Sequence, residues 1–385
     1  MTEQTETDWH TADFPELRSG PPWVMQEMMA RQPELAAAIL GADDTALDAI
    51  AGATREAVAA GRPVIVCGCG TSEHAAHGVA ALLAAALPAA ARPHVRALPA
   101  LSATLDPQPG LCLAISHDGG TRATLLALEA AGRAGARTAT ITAKPAGAVP
   151  QAADHVIATP FGDRSWCHTV GYTSAIVAGA ALASRLGLAG VTPEAAAGAL
   201  AEGLGATGLE AVAERLADRR VILCAGLGPD LTSARELALK IAEGAHLPTL
   251  ALELETVLHG QLGGHDERDA LVLFALTAHA DGERHLRRAE QVARAVAEIG
   301  LPVAAVLSDT AAERLAPELT PAGRAAVRLP DGLQPSLAAL LAGAGALQAL
   351  TLALAHSRKT NPDLIRREQA PWRAAAAAAE GSSSW

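Results

Sequence analysis

Aromatic side chains are scarce in this sequence: 2% of 385 residues, with one tyrosine and three phenylalanines. No basic run and no basic stripe interleaved with aromatic rings is present, and the formal net charge is −11. Nucleic acid is therefore not expected as a partner. The cysteines are five: Cys67, Cys69, Cys112, Cys167 and Cys224. An odd number in a long chain does not describe a disulfide framework. Cys67 and Cys69 have no second pair at zinc-site spacing, so buried structural thiols are expected and no metal. No stretch of about 18 residues reads as apolar without breakers or charges, so no membrane span is expected. The first residues, MTEQTETDWHTADF, are polar and acidic. That is the opposite of a secretory leader, and a cytoplasmic protein is expected.

What the chain has in abundance is small aliphatic residues. Half of it is apolar, dominated by Ala, Leu, Val and Gly. That composition suits helices packed closely on a sheet. Short apolar runs predict strands at 63–70, 111–116, 137–142 and 154–159, and again at 220–228, 249–254, 270–276 and 302–308. Helical patterns lie between them, at 121–136 and 231–246. Residues 166–217 read as all helical, 281–300 as an exposed amphipathic helix and 336–357 as a buried one. Strands alternating with helices imply parallel sheets covered on both faces.

The strand–glycine turn–helix near residue 63 recurs near 220, roughly 157 residues later. Two similar doubly wound α/β domains in tandem are predicted. We place an N-terminal arm and helix at 1–45, the first domain at 46–205, the second at 206–357 and a C-terminal tail at 358–385.

Two turns of the first domain could hold a ligand. GCGTSEHAAH (68–77) and ISHDGGTRAT (115–124) each end a strand, carry glycine and hydroxyl residues and open a helix. Backbone N–H groups at such a turn favour an anion. Each alone is equally an ordinary strand–helix turn; at adjacent strand ends they would face one crevice. Farther on, Glu236, Lys240 and Glu243 are spaced i, i+4, i+7. On a helix they form one stripe, which fits a solvated salt-bridge ladder. It also fits proton chemistry, because the helix is otherwise apolar and His259 follows in a glycine-flanked loop.

Beyond these patterns the chain resembles the sugar isomerase (SIS) domain family, and within it the two-SIS isomerase part of glucosamine-6-phosphate synthases. The resemblance runs from WVMQEMMARQPELA (23–36) through CGTSEHA, ISHDGGTRAT and ALKIAEGAHLPTLALELETVLHG to NPDLIRR, nearly the whole chain. It implies an α/β fold of two tandem doubly wound SIS domains with parallel sheets, and a small-molecule sugar or sugar phosphate as ligand. It implies no organic cofactor. By position, Thr71, Ser72, Ser116, His117, Asp118, Thr121 and Thr124 would line the sugar or phosphate pocket. Glu243 matches the carboxylate that moves a proton between C1 and C2, and His259 the ring-opening histidine. In that family this histidine reaches the neighbouring subunit's site, so a homodimer is implied.

Departures from the family pattern bear on the substrate. No N-terminal catalytic cysteine is seen, so glutamine-dependent amination is not expected. A family lysine falls on Val170, and another on Arg366 or Arg367, which cannot shuttle a proton. The second serine of the phosphate loop is Asp118. A phosphate dianion and a carboxylate ~4 Å apart repel by several kcal/mol at an effective dielectric of ~20. Asp118 therefore caps the helix that follows, is neutralised by a neighbour, or faces something other than phosphate. The expected activity is aldose–ketose isomerisation of an amino sugar or sugar phosphate, with or without loss of ammonia. The alternatives are a fructosamine-type deglycase and a non-catalytic sensor of a carbohydrate derivative.

Overall fold

The computed structural model describes residues 18–42, 45–277 and 282–380. Five strands form a first sheet: β1 Val64–Gly68, β2 Val95–Pro99, β3 Leu111–Ile115, β4 Arg137–Thr142 and β5 His155–Ala158. Five more form a second: β6 Ile222–Gly226, β7 Thr249–Glu253, β8 Ala270–Ala275, β9 Val303–Ser308 and β10 Gly323–Val327. The orders are β2-β1-β3-β4-β5 and β10-β9-β8-β6-β7, with every pairing parallel. Counted from the first strand of each, the two sheets have the same order. The predicted repeat is real in three dimensions, and the fold is α/β with two doubly wound sheets.

All eight predicted strands are present. β1, β3, β6, β8 and β9 are buried along their whole length, as strands covered on both faces must be. The sequence reading missed β2 and β10, which are edge strands. VRALP is only half-buried and GRAAV alternates, so neither shows an unbroken apolar run. The stretch read as all helical holds three helices, Val170–Arg185, Pro193–Leu204 and Leu209–Leu216. Thr192 caps the second, accepting the Ala195 N–H at 3.3 Å. Residues 166–169 are loop, a difference that matters for the site.

One helix corrects the reading of apolar runs. Pro335–Arg358 has the length and hydropathy of a membrane span, but 89% of its most apolar window is buried inside the protein. Small residues let it pack closely. The helix Pro193–Leu204 lies against it so tightly that a Cβ on Gly203 would come 2.1 Å from the Ala342 carbonyl oxygen.

In each sheet the chain leaves its first strand toward one edge and returns on the other side. The crevice between the C-terminal ends of β1 and β3 is the first such switch point, where doubly wound sheets bind ligands. The turn after β1 runs through Gly70 at φ 56°, and its counterpart after β6 through Gly228 at φ 59°. Gly119, in the turn after β3, has φ 66°, and a Cβ there would lie 2.7 Å from the Lys144 carbonyl oxygen. Only glycine fits that position.

Candidate active site

A cavity of about 290 Å³ opens at the first switch point. Both predicted turns line it: Cys69, Gly70, Thr71 and Ser72 from one, and His117, Asp118 and Thr121 from the other. Glu243 reaches it from the second domain, and Trp166, His168, Ile365 and Arg367 complete the wall. Of the residues expected from sequence, Ser116, Thr124 and His259 do not line it. Ser116 is buried beneath the turn, and its Oγ has no hydrogen-bond partner among the described residues. Thr124 is buried one helical turn behind, with Oγ1 3.7 Å from Cys69 Sγ. His259 is 71% exposed elsewhere on the chain, with Nε2 2.9 Å from Glu255.

The Glu236–Lys240–Glu243 stripe is not a solvated ladder. Glu236 and Lys240 are fully buried, and Glu243 is 21% exposed at the cavity wall. The helix Pro229–Lys240 passes into a π-helical turn at Ile241–Ala245, which carries Glu243. Such turns rotate one side chain out of the helical register, and they recur at functional sites. Lys240 Nζ lies 2.5 Å from Glu243 Oε2 and 3.5 Å from Glu236 Oε1. Glu236 in turn takes the Thr71 hydroxyl at 3.2 Å, and lies 2.7 Å from His74 Nδ1. Thr71 and His74 belong to the first domain's helix, so this charged chain fastens one domain to the other at the cavity floor.

The electrostatics follow from that packing. Burial opposes the Lys240 ammonium, but two carboxylates outweigh it and hold its pKa above the ordinary lysine value. Burial likewise works against the Glu236 carboxylate, yet Lys240 and His74 together hold its pKa below the usual range. Across the cavity, His117 is lowered to about 4 by burial and by neighbouring His168. The Asp163 N–H donates to His117 Nε2 at 2.7 Å, so the ring proton resides on Nδ1. The Asp163 carboxylate also accepts the N–H groups of Ser165, Thr169 and Gly171. It thus folds the loop that presents Trp166 and His168.

The sequence reading took only Val170 from this segment and did not single out Trp166 or His168. It left open which C-terminal arginine belongs to the site. Arg367 lines the cavity with its guanidinium 4.8 Å from the Trp166 ring centre, whereas Arg366 stacks on Trp372 outside it. The backbone is forced here: Ile365 and Arg366 have φ of 44° and 64°. A β-branched residue in that region is strained, and such strain gathers at functional sites. Asp363 anchors the segment by accepting the Val24 and Met25 N–H groups at 2.8 and 2.7 Å.

The second switch point differs. Asp230 stands where the first turn has Ser72, and its buried carboxylate accepts the Thr277 N–H and hydroxyl at 3.0 and 2.7 Å. The protein's own carboxylate bridges the two turns there. A larger cavity beside it, about 880 Å³, contains none of the groups expected from sequence. Its charges are largely paired with one another, Arg288 with Glu255 and Arg287 with Glu283.

Residues 59–188, which hold the first sheet and both glycine turns, match the SIS domain family model. The chain carries an SIS domain. The second half shares the SIS architecture through its sheet order. The C-terminal domain of glucosamine-fructose-6-phosphate aminotransferase from Francisella tularensis superposes with a TM-score of 0.74 at 18% identity, covering 90% of this chain and 99% of that one. Tagatose-6-phosphate ketose/aldose isomerase from Escherichia coli gives 0.69 at 20%, covering 91% and 97%. Glucosamine-6-phosphate deaminase from Thermotoga maritima gives 0.62 at 15%, covering 89% and 97%. These likenesses establish a shared tandem SIS fold. No curated protein matches the sequence.

Proposed function

We propose that the protein is a sugar isomerase in which Glu243 carries a proton between C1 and C2 of an amino sugar or sugar phosphate. One observation carries this reading. Glu243 faces the cavity between the two ligand turns while its other oxygen is held by the buried Lys240 ammonium. A carboxylate so fixed removes the C2 proton of an open-chain aldose and returns it to C1. The donors that line the same cavity and could meet the developing enediolate charge are the His117 ring N–H and the Thr121 and Ser72 hydroxyls. Thr121 opens its helix without a side-chain cap bond, which leaves its hydroxyl to the ligand. Where C2 carries an amine, the same shift gives a ketimine, which water hydrolyses to ketose and ammonia. The known activities of the structural relatives, ketose/aldose isomerisation and amino-sugar-phosphate deamination, are of the same chemical kind.

The direct test is proton NMR of candidate sugars in deuterated water. Exchange of the C2 proton with the wild type supports the isomerase. Binding without any exchange makes the protein a sensor.

We also infer that His259 opens the sugar ring in the partner subunit's cavity of a homodimer. It is exposed and lies outside its own chain's cavity. Homodimers of Glu243→Gln and of His259→Ala should each be inactive on cyclic sugar. After mixing and subunit exchange, heterodimers with one intact site should regain about a quarter to a half of wild-type activity. No recovery once exchange is verified by mass would place both residues in one chain's site.

A further inference from the structure

The turn after β3 is built like an anion site but presents a carboxylate. Asp118 is exposed, lines the same cavity as Glu243, and makes no hydrogen bond or ion pair among the described residues. It does not cap the following helix. That helix begins at Arg122 with Thr121 in the cap position and no side-chain cap bond. Neither Arg122 nor Arg367 ion-pairs with it, nor does Lys144, whose backbone packs against Gly119 of the same turn, and His117, the adjacent ring, is held neutral by burial. Two of the three ways to reconcile a carboxylate with this turn, capping and neutralisation, are thereby removed. Among the described residues, Arg367 supplies the cavity's one guanidinium, set against two carboxylates.

We propose that the cavity takes its sugar unphosphorylated, with hydroxyl groups at the Asp118 end donating to that carboxylate. This rests on the isomerase reading for the orientation of the sugar, with C1 and C2 toward Glu243. A carboxylate accepts two or more hydroxyl hydrogen bonds, and each such charge-assisted bond is stronger than a neutral one. A phosphate in the same place would bring two negative charges against a third, with no cation ion-paired to Asp118 to offset it. Asp118 is thus the residue that sets specificity, and Ser at this position would restore the serine that the resemblance places in a phosphate loop.

Calorimetric titration of matched pairs tests this: glucosamine against glucosamine-6-phosphate, and fructose against fructose-6-phosphate. The wild type is expected to bind the free sugar of at least one pair about tenfold or more tighter than its phosphate. Asp118→Ser is expected to invert that order, a net change of about 100-fold, and Asp118→Asn to fall between. The variants bear on an exposed side chain without bonds, so folding should be retained, and a thermal melt checks it. Tighter binding of the phosphates by the wild type, binding of no member of either pair, or a free-sugar preference that Asp118→Ser leaves intact would each overturn the proposal. The deuterium-exchange measurement stands apart. Free-sugar preference without C2 exchange would sink the isomerase reading alone, and exchange confined to the phosphates would sink this one alone.

Discussion

Replacing Glu243 by glutamine is expected to lower C2 proton exchange by about 10²–10⁴-fold, the range a positioned acid–base group contributes. The amide keeps the shape and can still meet Lys240, but it has no basic oxygen for a carbon-bound proton. The proposed roles, Glu243 on the reacting atoms and the two turns on the sugar, require the Michaelis constant to change far less than turnover. Stability should move little, since the side chain is partly exposed and Lys240 keeps Glu236 as a partner. Parallel measurement of exchange and of ligand-induced thermal shift separates the effects. A variant that exchanges within tenfold of wild type, while still binding sugar, would remove Glu243 from the proton-transfer step.

Much of this site was legible in the sequence, for reasons that particular residues make plain. Strands covered on both faces must be apolar throughout, so β1 and β3 announce themselves and fix where their glycine turns lie. Thr71, Ser72, His117, Asp118 and Thr121 follow from those turns and do share one cavity. Edge strands β2 and β10 obey no such constraint and were missed. The stripe from Glu236 to Glu243 was visible, but its burial was not. A spacing of i, i+4, i+7 fixes a helix face without saying whether water or another domain covers it. The decisive neighbours, Thr71 and His74, come from a helix more than 160 residues away in sequence. Trp166 and His168 were hidden for a related reason: their loop is shaped by hydrogen bonds to the Asp163 carboxylate, which leave no periodic trace.

Lys240→Met is expected to destabilise the fold by about 3–5 kcal/mol near pH 7, because it leaves a buried carboxylate without its cation. Methionine fills nearly the same volume, so little of that loss comes from packing. The pH dependence identifies the cause. In the wild type, Glu236 has its folded pKa below the unfolded value of 4.5, so its contribution is present above that pH and lost as pH falls through the folded value. Lys240 has its folded pKa raised above 10.5, so its contribution is present below that pH and lost as pH rises toward the folded value. Between those limits the contributions of Glu236 and Lys240 are flat. Without Lys240, burial of Glu236 is opposed only by His74 and Thr71, and its carboxyl is expected to move up. The folded state then binds more protons than the unfolded one, and stability falls as pH rises from about 5 to 7. The gap between wild type and variant should therefore be largest near neutrality and shrink in mild acid, as read by urea unfolding at several pH values. The triple variant Glu236→Gln, Lys240→Met, Glu243→Gln should recover most of the loss, since no buried charge then lacks a partner. A loss that is the same at every pH, and that the triple variant does not relieve, would mean that Lys240 acts through shape and not through its charge.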